Sequence, residues 1–96
     1  MLVDTVIKER REKILELGLN HGARKIRIFG SVARGEEMPK SDIDLLIDFD
    51  EDRSLFDLIA FKHDLEELLG RKVDVVTEDS VHWYIKDKII KEAVEI

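Results

Sequence analysis

Three aspartates occupy positions where strand patterns place their side chains on one face of a sheet. Asp42 and Asp44 are separated by one apolar residue at the start of an Ile- and Leu-rich run, and Asp74 interrupts a run of valines. Because strand side chains alternate between faces, the apolar residues form a core face and the aspartates lie on the other. If the two strands are neighbours, three carboxylates converge, and like charges at that range need a cation between them. Oxygen ligands favour Mg²⁺, and two such ions would align an attacking oxygen and a leaving pyrophosphate.

A glycine and a serine after an earlier strand could supply the complementary half of such a site. Gly30 and Ser31 follow a run that alternates in polarity. A glycine lets the backbone approach a ligand closely, and the free N–H groups of a following helical turn point at an anion. The Ser31 hydroxyl can donate to a phosphate oxygen. The alternative is a tight turn in which Ser31 only caps the residues that follow.

Other polar residues give weaker indications. Arg34, one turn beyond Ser31, could contact phosphate, or it could pair with Glu36 or Glu37. The three histidines do not form a metal-ligand set, because none has a partner at the required spacing.

Hydrophobic periodicity predicts the elements that position the first half of the site. Apolar residues three, four and seven positions apart indicate an amphipathic helix at the start of the chain, ending at Gly18 or at Gly22. Residues 25–29 alternate as a strand does. Residues 31–34 could form one helical turn, and residues 35–41 indicate a loop because they include Gly, Pro and Ser.

The middle of the chain predicts a strand, an acidic turn and a long helix. Residues 42–49 form the strand and residues 50–52 the turn. Ser54 is a candidate N-cap for a helix that runs to Leu69, with Gly70 placed to end it. The apolar side chains expected to face the core are Leu55, Leu58, Ile59, Leu65, Leu68 and Leu69.

A third strand is predicted over residues 73–77, and Ser80 is predicted to cap a last helix. The side chains of that helix expected to point inward are Val81, Ile85 and Ile89. We expect at least one of Trp83 and Tyr84 to pack in the core, and we favour core packing for both. The alternative is that the other one is exposed as a contact for a partner, because aromatic side chains are favoured at interface centres. Residues 93–96 are ambiguous. The element order predicts an α+β sandwich with helices packed on a short sheet.

Composition limits the class of function. The 96 residues are predicted to form one domain, residues 1–96, which leaves little room for a second lobe that holds an acceptor. The net charge of −6 argues against direct nucleic-acid binding. Disulfides are excluded because the sequence has no cysteine. No apolar run reaches the roughly 18 residues of a membrane span, and no secretory signal is present. We therefore expect a cytoplasmic protein with no membrane contact.

The two halves of the candidate site together resemble a known signature. Gly30-Ser31, ten further residues and Asp42-Ile43-Asp44 are similar to the motif of the DNA polymerase β-like nucleotidyltransferase superfamily. The longer stretches 29–36 and 41–47 resemble its minimal nucleotidyltransferase family, which includes antitoxins that act with HEPN-domain toxins. Residues 72–76 match the strand of the third carboxylate. The resemblance implies that superfamily's fold, with a short mixed sheet.

The resemblance also implies roles for individual residues. Gly30 and Ser31 would bind the triphosphate, and Asp42 and Asp44 would hold both metal ions. Asp74 would ligate the catalytic metal and help to deprotonate the acceptor hydroxyl. The implied activity is Mg²⁺-dependent transfer of AMP from ATP to a tyrosine of a HEPN toxin.

Two other functions are compatible with parts of this pattern. One is a binding module that neutralises its partner by masking a surface, with the carboxylate site idle. The other is a fragment of a nucleic-acid polymerase or of a tRNA nucleotidyltransferase, which the acidic charge and the missing lobe disfavour. The intact carboxylates and Ser31 favour the enzyme.

Overall fold

The computed structural model describes residues 5–30, 33 and 42–96, with the side chains of residues 5 and 6 left aside. Most of the predicted helical turn at 31–34 and all of the predicted loop at 35–41 lie outside this part of the chain. So do Ser31 and Arg34. Ala33 is described: it is helical, and its side chain is buried in the core.

A four-stranded mixed sheet forms the centre of the fold. Its strands are β1 (Ala23–Phe29), β2 (Ile43–Phe49), β3 (Val73–Thr77) and β4 (Val94–Glu95), arranged in the order β3-β2-β1-β4. Strands β2 and β3 are parallel, whereas β1 is antiparallel to both of its neighbours. The three predicted strands and the mixed sheet of the α+β fold are confirmed. The ambiguous C-terminal segment supplies β4, whose Val94 and Glu95 pair with Ile28 and Arg27.

The helices are α1 (Thr5–Glu9), α2 (Arg11–His21), α3 (Leu55–Leu69) and α4 (Trp83–Glu92), and a 3₁₀ turn covers Glu78–Ser80. The single N-terminal helix predicted from the sequence is interrupted at Arg10, whose ψ of 13° departs from the helical value. Gly22, with φ of 86°, ends α2, as one of the two alternatives predicted. Gly18 instead lies inside α2. A Cβ there would be 2.7 Å from Cδ1 of Ile26, so its lack of a side chain lets the helix pack closely on β1.

The main core lies between the helices and one face of the sheet. Helix α2 packs on β1 and on α3, and α3 packs on β3. Alternate residues of β1, β2 and β3 point into this layer, as expected for a half-buried sheet. The buried apolar side chains of the cluster are Ile7, Ile14, Ala23, Ile26, Ile28, Ala33, Ile43, Leu45, Ile47, Phe61, Leu65, Leu69 and Val73.

The opposite face of the sheet carries a buried charge beside the aspartates. Arg27 and Leu46 are register partners on β1 and β2, and both are buried. The Arg27 guanidinium donates through Nη2 to Oδ1 of Asp48 at 3.2 Å and to Oε2 of Glu78 at 3.1 Å. Its Nε has no hydrogen-bond partner among the described residues. A buried charge needs such paired carboxylates, so Asp48 and Glu78 have a structural role.

Helix α3 begins and ends as predicted, but its buried face was assigned partly wrongly. The backbone N–H of Ser54 donates to Oδ2 of Asp57 at 3.4 Å, and Gly70 adopts φ of 65° after the last turn. Leu55 and Ile59, expected in the core, are 68% and 43% exposed. The buried stripe begins instead at Phe61 and repeats every four residues. Ile59 lies two positions before Phe61, and residues at that spacing do not share a helix face.

The start of α4 and the packing of its first turn also differ from the prediction. Ser80 does not cap the helix, because its hydroxyl closes the 3₁₀ turn by donating to the Thr77 carbonyl at 2.9 Å. The helix begins at Trp83. Trp83 and Tyr84 are 80% and 68% exposed, so the expectation that they pack in the core is wrong. Ile85, expected to point inward, is also exposed. Across the described part of the chain, no helix is long and apolar enough to cross a membrane.

Candidate active site

The strand register brings three predicted site features to one edge of the sheet. Phe29, immediately before Gly30, pairs with Asp44 across β1 and β2. Asp44 in turn pairs with Asp74 across the parallel strands β2 and β3. Paired residues of neighbouring strands project from the same face, so the two aspartates lie side by side on the face opposite the main core. Asp42 lies just before β2 and two residues from Asp44, so alternation places it on the same face.

Backbone hydrogen bonds hold the starts of the two carboxylate strands. The N–H of Ile43, between the first two aspartates, donates to the Lys72 carbonyl at 2.9 Å. The N–H of Val73, next to Asp74, donates to Oε2 of Glu66 on α3 at 3.0 Å. The side chains of Ile43 and Val73 are fully buried. Asp44 and Asp74 are therefore carried by backbone that is tied to the core, which limits their relative movement.

Gly30 lies directly against the Asp44 carboxylate. Its φ of 78° is in the left-handed region, which disfavours any residue with a Cβ. A Cβ at this position would also collide with Oδ2 of Asp44. The glycine that the sequence analysis assigned to phosphate binding is thus required by the local geometry, because it leaves space for a carboxylate assigned to metal binding. The two halves of the predicted site are in contact.

A fourth carboxylate, which the sequence analysis did not identify, also reaches Gly30. The N–H of Gly30 donates to Oε2 of Glu92, the last residue of α4, with an N···O distance of 3.4 Å. The pairing of Val94 with Ile28 explains this position, since continuing the antiparallel register by two residues sets Glu92 opposite Gly30. Helical periodicity contains no signal for this contact. It depends on the pairing of β4 with β1 at the far end of the chain.

The carboxylates differ in how far they are exposed. Asp42 and Asp74 are exposed, whereas Asp44 and Glu92 are half-buried. Within residues 5–30 and 42–96, no three His, Asp or Glu side chains form a cluster that is already arranged to hold a metal ion. The oxygen donors nevertheless suit Mg²⁺, which commonly binds through one or two carboxylates and completes its shell with water and substrate phosphates. The residues present therefore fit a metal that binds together with a nucleotide.

Two of the histidines make side-chain contacts with carboxylates. His21 makes a 2.8 Å contact through Nε2 with Oδ2 of Asp64, between α2 and α3. His63 lies 3.9 Å from Glu66 on the same helix. Both serve contacts between or within helices.

The chain is similar to nucleotidyltransferases over almost its whole length. The family model described as nucleotidyltransferase domain matches residues 6–96. A protein of Methanocaldococcus jannaschii that is provisionally named a protein adenylyltransferase is 48% identical over 90 residues, which cover 94% of this chain and 97% of the relative. Protein adenylyltransferase MntA of Thermococcus cleftensis is 34% identical over 94 residues, covering 98% and 92%.

A solved structure has the same fold as this chain. It is provisionally described as a minimal nucleotidyltransferase, has 43% sequence identity with this chain and superposes with a TM-score of 0.85. The match covers 94% of this chain and 92% of that one. The resemblance to minimal nucleotidyltransferases that was predicted from the Gly30-Ser31 and Asp42-Ile43-Asp44 motifs is therefore confirmed, and so is the fold.

Proposed function

This chain belongs to the nucleotidyltransferase domain family of enzymes, and we propose that it transfers AMP from ATP to a hydroxyl group of a partner protein. The observation that carries the proposal is the contact between Gly30 and the Asp44 carboxylate, in register with Asp74. A backbone suited to phosphate and a row of carboxylates suited to a cation share one sheet edge. Relatives that are named protein adenylyltransferases support the choice of a protein acceptor.

In the proposed reaction the acceptor hydroxyl loses its proton and its oxygen forms a bond to the α-phosphorus of ATP. The bond between that phosphorus and the bridging oxygen breaks, and pyrophosphate leaves. Gly30 and Ser31 bind the β- and γ-phosphates by N–H and hydroxyl donors, and Arg34 adds a positive charge. Asp74 faces the acceptor and takes its proton, which passes on to water. Positioning of this kind lowers the barrier by converting a bimolecular encounter into a step within one complex.

Mg²⁺ is part of the proposal. Asp42, Asp44 and Asp74 would hold it, as two ions, together with the triphosphate. When bound, it neutralises the charge of the triphosphate and of the departing pyrophosphate. The chain itself supplies the reason for a cation: carboxylates brought into register on neighbouring strands repel one another, and that repulsion is relieved by a positive charge.

A second chain is proposed to supply the acceptor. The described elements build the sheet edge and its supporting helices. At the start of α4, His82, Trp83 and Tyr84 form an exposed aromatic cluster, with ring centroids 4.6 Å apart for His82 and Tyr84 and 5.9 Å for Trp83 and Tyr84. Aromatic side chains are favoured at the centres of protein interfaces. By the family resemblance, the proposed partner is a helical HEPN-domain toxin and this chain is its antitoxin.

Label transfer tests the reaction. The protein is incubated with Mg²⁺, its candidate partner and ATP that is labelled on either the α- or the γ-phosphate. We expect the partner to retain the α-label and the γ-label to appear in pyrophosphate. Retention of the γ-label would indicate a kinase and would contradict the proposal.

The alternative is a non-catalytic antitoxin that masks its partner. It predicts a tight complex in which neither label is transferred. Asp42→Asn separates the two functions, because masking should survive the substitution and transfer should not.

A further inference from the structure

The Gly30 amide is the donor that the proposed function assigns to the triphosphate, yet in the structure it already has an anionic acceptor. Oε2 of Glu92 receives its hydrogen bond at 3.4 Å. A carboxylate oxygen and a phosphate oxygen accept from the same donor in the same way, so they compete for it. A nucleotide that uses this amide must displace Glu92.

We infer that Glu92 is an internal competitor of the nucleotide: its carboxylate occupies the phosphate position at Gly30 and lowers the affinity of the site until it swings away. The inference rests on the proposed function, because it concerns the same phosphate site. It assigns a regulatory role to a residue at the end of α4.

The placement of Glu92 is built into the fold. β4 pairs with β1 at Ile28 and Arg27, just before Gly30. The N–H of Ala93 bonds to the Ile89 carbonyl at 2.9 Å, so α4 continues regularly up to β4. Glu92 is therefore fixed between a helix and a strand, and only its side chain can move away without breaking the sheet. The contact joins one side-chain oxygen to one amide, and it is the side chain that must leave for the amide to be released.

Charge makes the contact sensitive to ligand. Asp44 also lies against Gly30, so Glu92 brings a second carboxylate to a region that already holds negative charge. A bound triphosphate would also repel the Glu92 carboxylate. The proposed cation neutralises the aspartates and does not need Glu92. Two anions cannot share one N–H donor at low cost, and binding of one therefore opposes the other.

Isothermal titration of inorganic tripolyphosphate and of ATP, each with Mg²⁺, tests the inference on the full chain. Glu92→Gln keeps the shape but removes the charge, and Glu92→Ala removes the acceptor. We expect both variants to bind each ligand with a Kd about three- to tenfold lower than wild type, the range for losing one competing hydrogen bond. Glu95→Gln is the control, because it removes the same charge from an exposed residue whose contact is with Lys25 at 3.9 Å.

Each alternative result overturns the inference. Weaker binding by the Glu92 variants would make Glu92 a ligand of the nucleotide or its metal. An equal decrease in Kd for Glu95→Gln would show that the effect comes from net charge alone. If wild type binds Mg²⁺-ATP and the Glu92 variants bind it with the same affinity, Glu92 is not part of the site and the proposed function is unaffected. If no variant bound either ligand, the proposed function and the inference would both fail.

The amide resonance of Gly30 gives a second, independent measurement. We expect it to shift in the free Glu92→Ala protein, and to converge with wild type once tripolyphosphate is bound, because both then share the phosphate acceptor. Different bound spectra would show that the ligand does not replace Glu92 at this amide.

Discussion

The space that a side chain at Gly30 would need is taken by the carboxylate of Asp44. This contact connects the end of β1 with the start of β2, so the phosphate-binding and metal-binding parts of the proposed site cannot be altered independently. A change at Gly30 displaces Asp44, and Asp44 is in register with Asp74.

Gly30→Ala should therefore impair nucleotide binding beyond its effect on stability. The alanine would have an unfavourable φ, and its Cβ would also collide with the Asp44 carboxylate. Gly70→Ala is the matched control, because Gly70 has φ of 65° with nothing within 4 Å of the added Cβ. The shared backbone strain costs roughly 1–2 kcal/mol in each variant. In thermal melts with Mg²⁺-ATP, we expect Gly70→Ala to keep the ligand-induced rise in Tm and Gly30→Ala to lose it. An equal ligand-induced rise in Tm in both variants would show that Gly30 is not part of the site.

Asparagine substitutions distinguish the carboxylates of the site from those that stabilise the fold. Asp42→Asn and Asp74→Asn should abolish label transfer while changing the free energy of unfolding by less than about 0.5 kcal/mol, since both side chains are exposed and lie in a row of like charge. Asp48→Asn, on β2 and on the same face of the sheet, should do the reverse. It weakens the 3.2 Å contact with buried Arg27 and should cost about 1–2 kcal/mol while transfer continues. Urea denaturation and label transfer measure the two effects. A large loss of stability in Asp74→Asn would make that carboxylate structural.

Metal removal should abolish stabilisation by nucleotide. A ligand at a hundred times its Kd adds about 2.7 kcal/mol to the folded state, and each kcal/mol raises the Tm of a domain of this size by roughly 4–8 °C. We expect ATP to produce most of this rise only when Mg²⁺ is present, and EDTA to reverse it. An equal rise in EDTA would contradict the assignment of the aspartates to a cation.

Trp83→Ala and Tyr84→Ala should leave the isolated domain almost as stable as wild type, because both side chains are largely exposed. Each should weaken binding of the partner by about tenfold or more, the effect expected of an aromatic side chain at an interface centre. Phe56→Ala is the comparison, since Phe56 is 83% exposed on α3 instead of α4. Co-purification and titration with the partner provide the measurement. Loss of binding in Phe56→Ala alone would place the interface on α3.

Local patterns were sufficient for much of the fold. Alternation in β1, β2 and β3, the start of α3 at Ser54 and its end before Gly70 all follow from neighbouring residues. The aspartate row follows as well, because Asp42 and Asp44 share a face and Asp74 repeats the pattern. Convergence of Asp44 and Asp74 follows if their strands are neighbours, whereas the register that pairs them is known only from the structure.

The features that were missed depend on contacts between distant segments. Glu92 reaches Gly30 because β4 pairs with β1, and a two-residue strand has no periodicity to detect. Gly18 is tolerated inside α2 because Ile26 packs where its side chain would be. Trp83 and Tyr84 are both exposed because of the path of α4, which their residue types do not indicate.

The parallel pairing of β2 with β3 determines when the site can exist during folding. Asp44 and Asp74 are separated in sequence by the whole of α3, and pairings between distant segments form late because the intervening loop must close first. A chain that has emerged only as far as β2 holds Gly30, Asp42 and Asp44 without the third carboxylate. On the proposed function, nucleotide binding that requires all three aspartates would begin only when the crossover through α3 is complete.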